Sequence, residues 1–485
     1  MEPVLFSSFT FLFLLTVVLL LDRTLPSARS KKLMILWASV AFYAAWKPIF
    51  ILLMTFQAAV DWYASREIAA TEVPWKRRAW LITSIGINLA VLAFFKYVAF
   101  FASSINDVSN AFGGSFEIPV PHIVLPIGIS FYTFETISYT IDVYRREIKP
   151  TTSFLDYAVF ITFFPHLVAG PIVRASSFLP QVADEDESRA SRRRLGYGLF
   201  LFVVGLFQKL FIADAIFAPV VDAVYGAPAQ ASTTDAWLGT LAFSGQIYYD
   251  FSGYSTCAIG LAACLGITIA DNFHSPYVAV GFSDFWRRWH ISLSSWLKDY
   301  VYVPLGGNRN GRWNRYRNLV ATMLLGGLWH GAAWTFVIWG ALHGLLLLVE
   351  QAIRSALAVL KIALKNPAWT VLGVVLTYAA VCVTWVFFRA QSFADAGRII
   401  EAMFGLEAGD GIDLVAWSGV DVTLAVLAII AMLASHAIWR RGRFDRWIDV
   451  SPGWIRVAVL TIAIPIILVL MGSGAGHQAF IYFQF

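Results

Sequence analysis

Apolar residues run through this chain in long blocks with short polar interruptions. Ten runs have the length of crossing helices: residues 4–21, 33–46, 49–63, 80–101, 123–143, 195–221, 237–266, 369–388, 422–437 and 455–471. A helix needs roughly 20 apolar residues to traverse the hydrocarbon layer, so most of these runs approach a full span. The second and third are short, and Lys47-Pro48 between them suits a tight outer turn. The first resembles a signal peptide only superficially, because Glu2 stands where a basic leader belongs, and it is expected to persist as a helix. Runs 154–173 and 319–349 are apolar but interrupted by Pro or Gly beside a histidine, as in His166-Leu-Val-Ala-Gly-Pro171 and Gly326-Gly-Leu-Trp-His330-Gly. Broken helices persist at membrane depth where protein buries them or water lines them. These two are therefore expected to be re-entrant or kinked.

Charge orients the array. Basic clusters lie at 29–32, 76–78, 144–149, 189–194, 309–317, 354–365 and 440–446, whereas the alternate loops 103–122, 222–235 and 391–421 are poor in Lys and Arg. The positive-inside rule puts the first set in the cytoplasm and both termini outside. Of the 485 residues 58% are hydrophobic and only 14% charged, and the mean hydropathy is +0.67, which excludes an ordinary soluble domain. The net charge of +5 fits basic cytoplasmic loops and gives no reason to expect a nucleic-acid partner. Cys257, Cys264 and Cys382 all lie in apolar runs without a CxxC pair, so packing is expected of them rather than a disulfide or a metal site. The expected fold is all-α and polytopic, a single integral membrane domain over residues 1–485 with about ten or more transmembrane helices plus re-entrant and interfacial pieces.

Two stretches carry the candidate chemistry. Between Asp284 and Tyr300, DFWRRWHISLSSWLKDY, the aromatic residues recur at near-helical spacing with Arg287, Arg288 and Lys298 on other faces. That pattern predicts one amphipathic helix in the cytoplasmic interface, ended by Pro304 and followed by a mobile basic loop, Gly306-Gly-Asn-Arg309. His290 lies within it, preceded by Trp289. His330 lies in GGLWHGAAWT, preceded by Trp329 and surrounded by Gly326, Gly327 and Gly331, which predict a kink and a close approach of backbone or ligand. A polar ring at membrane depth is costly unless solvated, paired or used, and an imidazole kept neutral there is a suitable general base for a hydroxyl acceptor. Among the remaining membrane charges, Lys209 and Asp250 are expected to pair structurally, although a proton-coupled transporter would use such residues too. HExxH, GxSxG and Walker patterns are missing from the sequence.

Several stretches together resemble the membrane-bound O-acyltransferase superfamily, in particular its bacterial branch of alginate O-acetylation membrane subunits and the related D-alanyl transfer proteins of teichoic acid modification. They are LPIGISFYTFETISYTIDVYR (125–145), FFPHLVAGPIVR (163–174), YYDFSGYS (248–255), FSDFWRRWHISLSSWLKDYVYVPLGGNRNG (282–311), GGLWHGAAWTFVIWG (326–340) and the terminal FIYFQF (480–485). The resemblance implies a funnel-shaped helical fold with a thin tunnel, His330 as catalytic residue and His290 as its companion near the donor side. It also implies an acyl donor arriving from the cytoplasm, with acetyl-CoA expected and no tightly bound cofactor.

On that reading Arg287, Arg288 and Arg309 offer cations to the phosphates of CoA or to an acidic acyl carrier protein. Trp289, Trp329 and Trp296 are expected to line the tunnel, and Tyr482 either anchors the tail in the interface or relays the acyl group outward. The expected activity is transfer of an acetyl group across the bacterial inner membrane for O-acetylation of an exported polysaccharide, alginate or similar, completed by a periplasmic acetyltransferase partner. Two alternatives stand beside it. One is D-alanyl or other acyl transfer from a carrier protein to a wall polymer; the other is a proton-coupled transporter or scaffold of an export complex.

Overall fold

The computed structural model describes residues 5–168, 170–183, 194–360, 366–414, 416, 422–440, 442, 451–473 and 480–481. These residues form helices and connecting loops, and strands are absent among them. Five described helices are long and apolar enough to cross a membrane: Pro74–Ala111, Leu195–Gly226, Trp334–Val359, Pro367–Arg389 and Gly453–Gly472. Val422–Ile438 is equally apolar but shorter. The chain is a multi-pass membrane protein of all-α class. Packing groups it into two compact units, Met1–Phe202 with Cys257–Ala270, and Val203–Thr256 with Asp271–Phe485.

In the first unit the helices Phe9–Thr24, Ala28–Ala44, Ile49–Ala70 and Pro74–Ala111 follow the first four apolar runs closely. The next begins only at Ile129, because Pro126 and the left-handed Gly128 (φ 75°) hold residues 123–128 out of helix. Buried polar side chains of the first unit are joined to one another. Asp61 Oδ1 accepts from Ser84 Oγ at 2.6 Å and from Asn88 Nδ2 at 2.8 Å, and Gln57 Nε2 donates to Asn88 Oδ1 at 2.8 Å. Without water in the surroundings such groups must find partners within the protein, and here they join two helices. Run 154–173 is broken as expected, into Phe154–Thr162 and the short turn Phe164–Leu167. His166 Nε2 lies 3.3 Å from Glu135 Oε2 there, while Glu135 Oε1 accepts from the Val173 N–H at 2.9 Å.

The second unit differs from expectation at the interfacial helix. The predicted interfacial helix is two helices, Phe282–Arg288 and Ile291–Leu297, followed by a π-helical turn at Lys298–Tyr302. The loop beyond it is held by side-chain hydrogen bonds and left-handed turns. Gly306, Gly307, Asn310 and Gly311 all take positive φ, the Tyr302 hydroxyl bonds Asn308 Oδ1 at 2.6 Å, and Asn318 Nδ2 donates to Gly307 O at 3.2 Å.

Run 319–349 is also broken as expected, at Gly331–Ala333, between the continuous helix Gly311–His330 and Trp334–Val359, and the two pack as a hairpin. A methyl group at Gly327 would overlap the Phe336 carbonyl, and one at Gly340 would overlap the Met323 carbonyl. The predicted close approach is therefore present, but it is helix against helix. Gly327→Ala is expected to cost at least about 1–3 kcal/mol by overpacking, read as a lower unfolding midpoint of the detergent-solubilised chain. Gly196→Ala, at a position with open space around it, is expected to shift stability by less than about 1 kcal/mol; equal shifts would contradict the close packing.

Candidate active site

The break between the helices Phe282–Arg288 and Ile291–Leu297 falls at His290, whose backbone is left-handed (φ 43°, ψ 56°). A non-glycine residue there is strained by roughly 1 kcal/mol, and it persists because neighbouring bonds over-determine it. Residues 272–274 run alongside the break. The Ile291 N–H donates to Asn272 O at 2.9 Å, and the His274 N–H donates to Arg288 O at 2.9 Å. The turn carries the His290 side chain inward, where it is fully buried.

Asn272 then decides the state of the imidazole. Its Oδ1 accepts from the Ser292 N–H at 3.2 Å and from Ser292 Oγ at 2.9 Å, and its Nδ2 donates to Ser255 Oγ at 3.3 Å. A backbone N–H can only donate, so the carboxamide atom facing it is the oxygen. His290 Nδ1 lies 3.1 Å from that same oxygen and must be the donor. In the neutral ring the proton is thus on Nδ1, and Nε2 carries the lone pair. Nε2 is buried and meets no hydrogen-bond partner among the described residues.

His330 ends the helix Gly311–His330, and Gly331 turns out of it in extended conformation. The two imidazoles have ring centroids 6.2 Å apart. Around them stand Phe251, edge-on to His290 at 4.5 Å, Trp329 at 5.8 Å from His290, and Trp339 and Phe388 at 5.0 and 5.4 Å from His330. His330 is 3% exposed, so both rings lie beneath aromatic side chains.

The other predicted residues are distributed unevenly. Trp289 is buried, stacked on Phe285 at 5.7 Å, and Trp329 meets both histidines. Trp296 is buried about two turns past the break, its ring against Tyr300. Arg287 is exposed and lies 3.3 Å from the Asp284 carboxylate. Arg288 is a fold staple, bonded to Asp284 Oδ2 at 3.1 Å and to the carbonyls of His274 and Arg440. Burial pushes the Asp284 carboxyl up, but the Val280 N–H and the Arg288 guanidinium outweigh it and hold the pKa below the ordinary value. Arg309 is exposed in its loop. Tyr482 lies outside the described residues. An open surface pocket of about 220 Å³, lined among others by Pro228, Arg398, Glu401 and Glu407, contains none of these residues.

Two residues beside the histidines escaped the sequence reading. Asn272 carries no motif of its own; the available signal was a lone carboxamide beside Phe273, which must be satisfied if buried. The other is His343, on the helix that follows His330. Its Nε2 lies 3.1 Å from Thr384 Oγ1, whose hydroxyl donates to Val381 O at 2.7 Å. A hydroxyl has one proton to give, so Nε2 of His343 is the donor. Its ring is 4.7 Å from Trp339, the indole that also meets His330.

The sequence model of the family described as MBOAT, membrane-bound O-acyltransferase family, matches residues 28–390. A protein of Pseudomonas putida named "Probable alginate O-acetylase AlgI" is 39% identical over 99% of this chain and 100% of its own length. The peptidoglycan O-acetyltransferase of Helicobacter pylori is 38% identical over 77% of this chain and 74% of its own. More distant is the teichoic acid D-alanyltransferase of Bacillus subtilis, 28% identical over 57% of this chain and 72% of its own.

Asn272→Ala strips the acceptor from three donors at once, and the expected loss is at least about 1–3 kcal/mol. Thermal melts of the purified variant against wild type test this, and an unchanged midpoint would mean that Asn272 does not hold His290.

Proposed function

This chain belongs to the membrane-bound O-acyltransferase family and is an acyltransferase, and from that premise we propose that it moves an acetyl group from acetyl-CoA across the bacterial inner membrane for O-acetylation of an exported polysaccharide. The observation that carries the proposal is the meeting of His290 and His330 in one aromatic-walled, buried site. Relatives named for O-acetylation of alginate and of peptidoglycan support acetyl as the group and a polysaccharide as its destination.

A thioester is already activated, so its transfer needs a base and an oriented acceptor in a dry site. In the proposed step an acceptor hydroxyl gives its proton to His330 as its oxygen bonds to the acyl carbon. The tetrahedral intermediate then expels the thiolate of the donor, which takes up the proton. His290 lies beside His330 with its protonated nitrogen tied to Asn272, which leaves Nε2 to receive a hydrogen bond from the acceptor or from the partner imidazole. Arg287 and Arg309 are exposed and available to donor phosphates, whereas Arg288 is committed to the fold. Tyr482, as phenol acceptor, would carry the acetyl group outward as an aryl ester to a periplasmic acetyltransferase partner. The teichoic acid relative keeps D-alanyl transfer as the second reading. Family membership speaks against the transporter alternative.

His330→Ala is expected to lower transfer by about 100- to 10,000-fold, the usual contribution of a general base. Free thiol released from acetyl-CoA and acetyl bound to polymer are the readouts, with melting and elution profiles showing that the variant assembles. Transfer at the wild-type rate would end the assignment. Tyr482→Phe tests the relay separately: acetylation of the product is expected to stop, and undiminished product would exclude it.

A further inference from the structure

Three charged side chains lie buried away from the histidines, and the mechanism does not use them. Lys209 is 4% exposed, and Asp214 and Asp250 are each 2% exposed. Lys209 Nζ donates to Asp214 Oδ1 at 2.8 Å and is ion-paired with Asp250 Oδ1. Such clusters are expensive to bury, and apolar residues of similar volume usually stabilise a fold as well.

The backbone is shaped to assemble this one. Lys209 and Asp214 sit on the π-helical stretch Gln208–Phe217. In an α-helix residues five apart would point about 140° apart, whereas π-helical i→i+5 bonding brings them onto one side. Asp250 comes from the helix Thr233–Cys264. Gly253, one turn on, lies so close to Gly205 O and the Lys209 N that a methyl there would meet them at 2.8 and 3.1 Å.

The remaining oxygen of Asp250 shows what the cluster holds. Asp250 Oδ2 accepts from the Ile481 N–H at 2.8 Å, across 231 residues of sequence. Phe480 is fully buried beside that bond, its ring 5.6 Å from Phe251 and 4.7 Å from Tyr254. Phe251 is the same ring that meets His290 edge-on at 4.5 Å. From Asp250 the contacts therefore run through the tail's Phe480 to the wall of the histidine site.

We propose that Asp250, braced by Lys209 and Asp214, is a positioning residue that latches the C-terminal segment at the Ile481 amide and seats it against the aromatic wall of His290. The latch holds the chain at Ile481, the residue before Tyr482 in the sequence. Its effect on transfer rests on the acyl-transfer reading; the latch itself does not.

Hydrogen exchange of the full-length chain in detergent tests the latch without any acyl donor. In Asp250→Ala the Ile481 amide is expected to exchange at least about tenfold faster, the scale of one charge-assisted hydrogen bond, with the segment 285–297 unchanged. Unaltered exchange at Ile481 overturns the proposal. A second pair of variants leaves the buried charges in place. Ile481→Pro deletes the donor N–H, and Ile481→Val retains it.

Acetyl transfer is expected to fall at least about tenfold in Ile481→Pro, and to stay near wild type in Ile481→Val. Adding Asp250→Ala to Ile481→Pro is expected to cost no further rate. Additive losses, or equal rates for the Pro and Val variants, would also overturn it. Faster exchange with no acetyl transfer in the wild-type chain would instead fault the acyl-transfer reading and leave the latch intact.

Discussion

A carboxamide that accepts from a backbone N–H cannot offer its nitrogen in the same direction, and at Asn272 this constraint reaches the chemistry. Because Oδ1 is held toward Ser292, His290 must present a protonated Nδ1 to it, and the lone pair is left on Nε2. The strained left-handed turn at His290 and the alignment of residues 272–274 serve the same end, since they bring the imidazole to the carboxamide. Were Asn272 rotated by half a turn, the same two histidines would lie at the same distance with the opposite proton arrangement.

The principle repeats in several buried polar clusters. Gln57 Nε2, Asp61, Ser84 and Asn88 bond one another between two helices, and Glu135 takes both His166 and a backbone N–H. Lys209, Asp214 and Asp250 do so around the Ile481 amide. In an aqueous domain these side chains would be free to find solvent. Here each becomes a clamp, because an unmatched polar group in an apolar environment costs several times what a matched one contributes.

Close packing of the second unit's helices depends on small residues for a related reason. Between apolar helices in an apolar solvent there is little hydrophobic gain from association, so van der Waals contact must do more of the work. Gly327 and Gly340 let two backbones touch, and the hairpin they allow carries His330 at its turn.

What the residues determined by themselves is the class and the candidate residues. Apolar runs of crossing length, the broken segment around His166 and the motif pair at His290 and His330 could all be read directly, because burial in lipid leaves so few alternatives for a helix. The Lys209–Asp250 pairing was also legible, since neither charge can be left alone at such depth. Local sequence could not say that the WRRWH helix breaks at the histidine, that the glycines serve packing, or that Asn272 chooses the tautomer. Nor could it say that Ile481 returns to Asp250. Each depends on a partner that is 9 to 231 residues away in the chain. Pattern and propensity report only a residue's near neighbours, while hydrogen-bond direction and backbone clearance are settled by whatever the folded chain brings alongside.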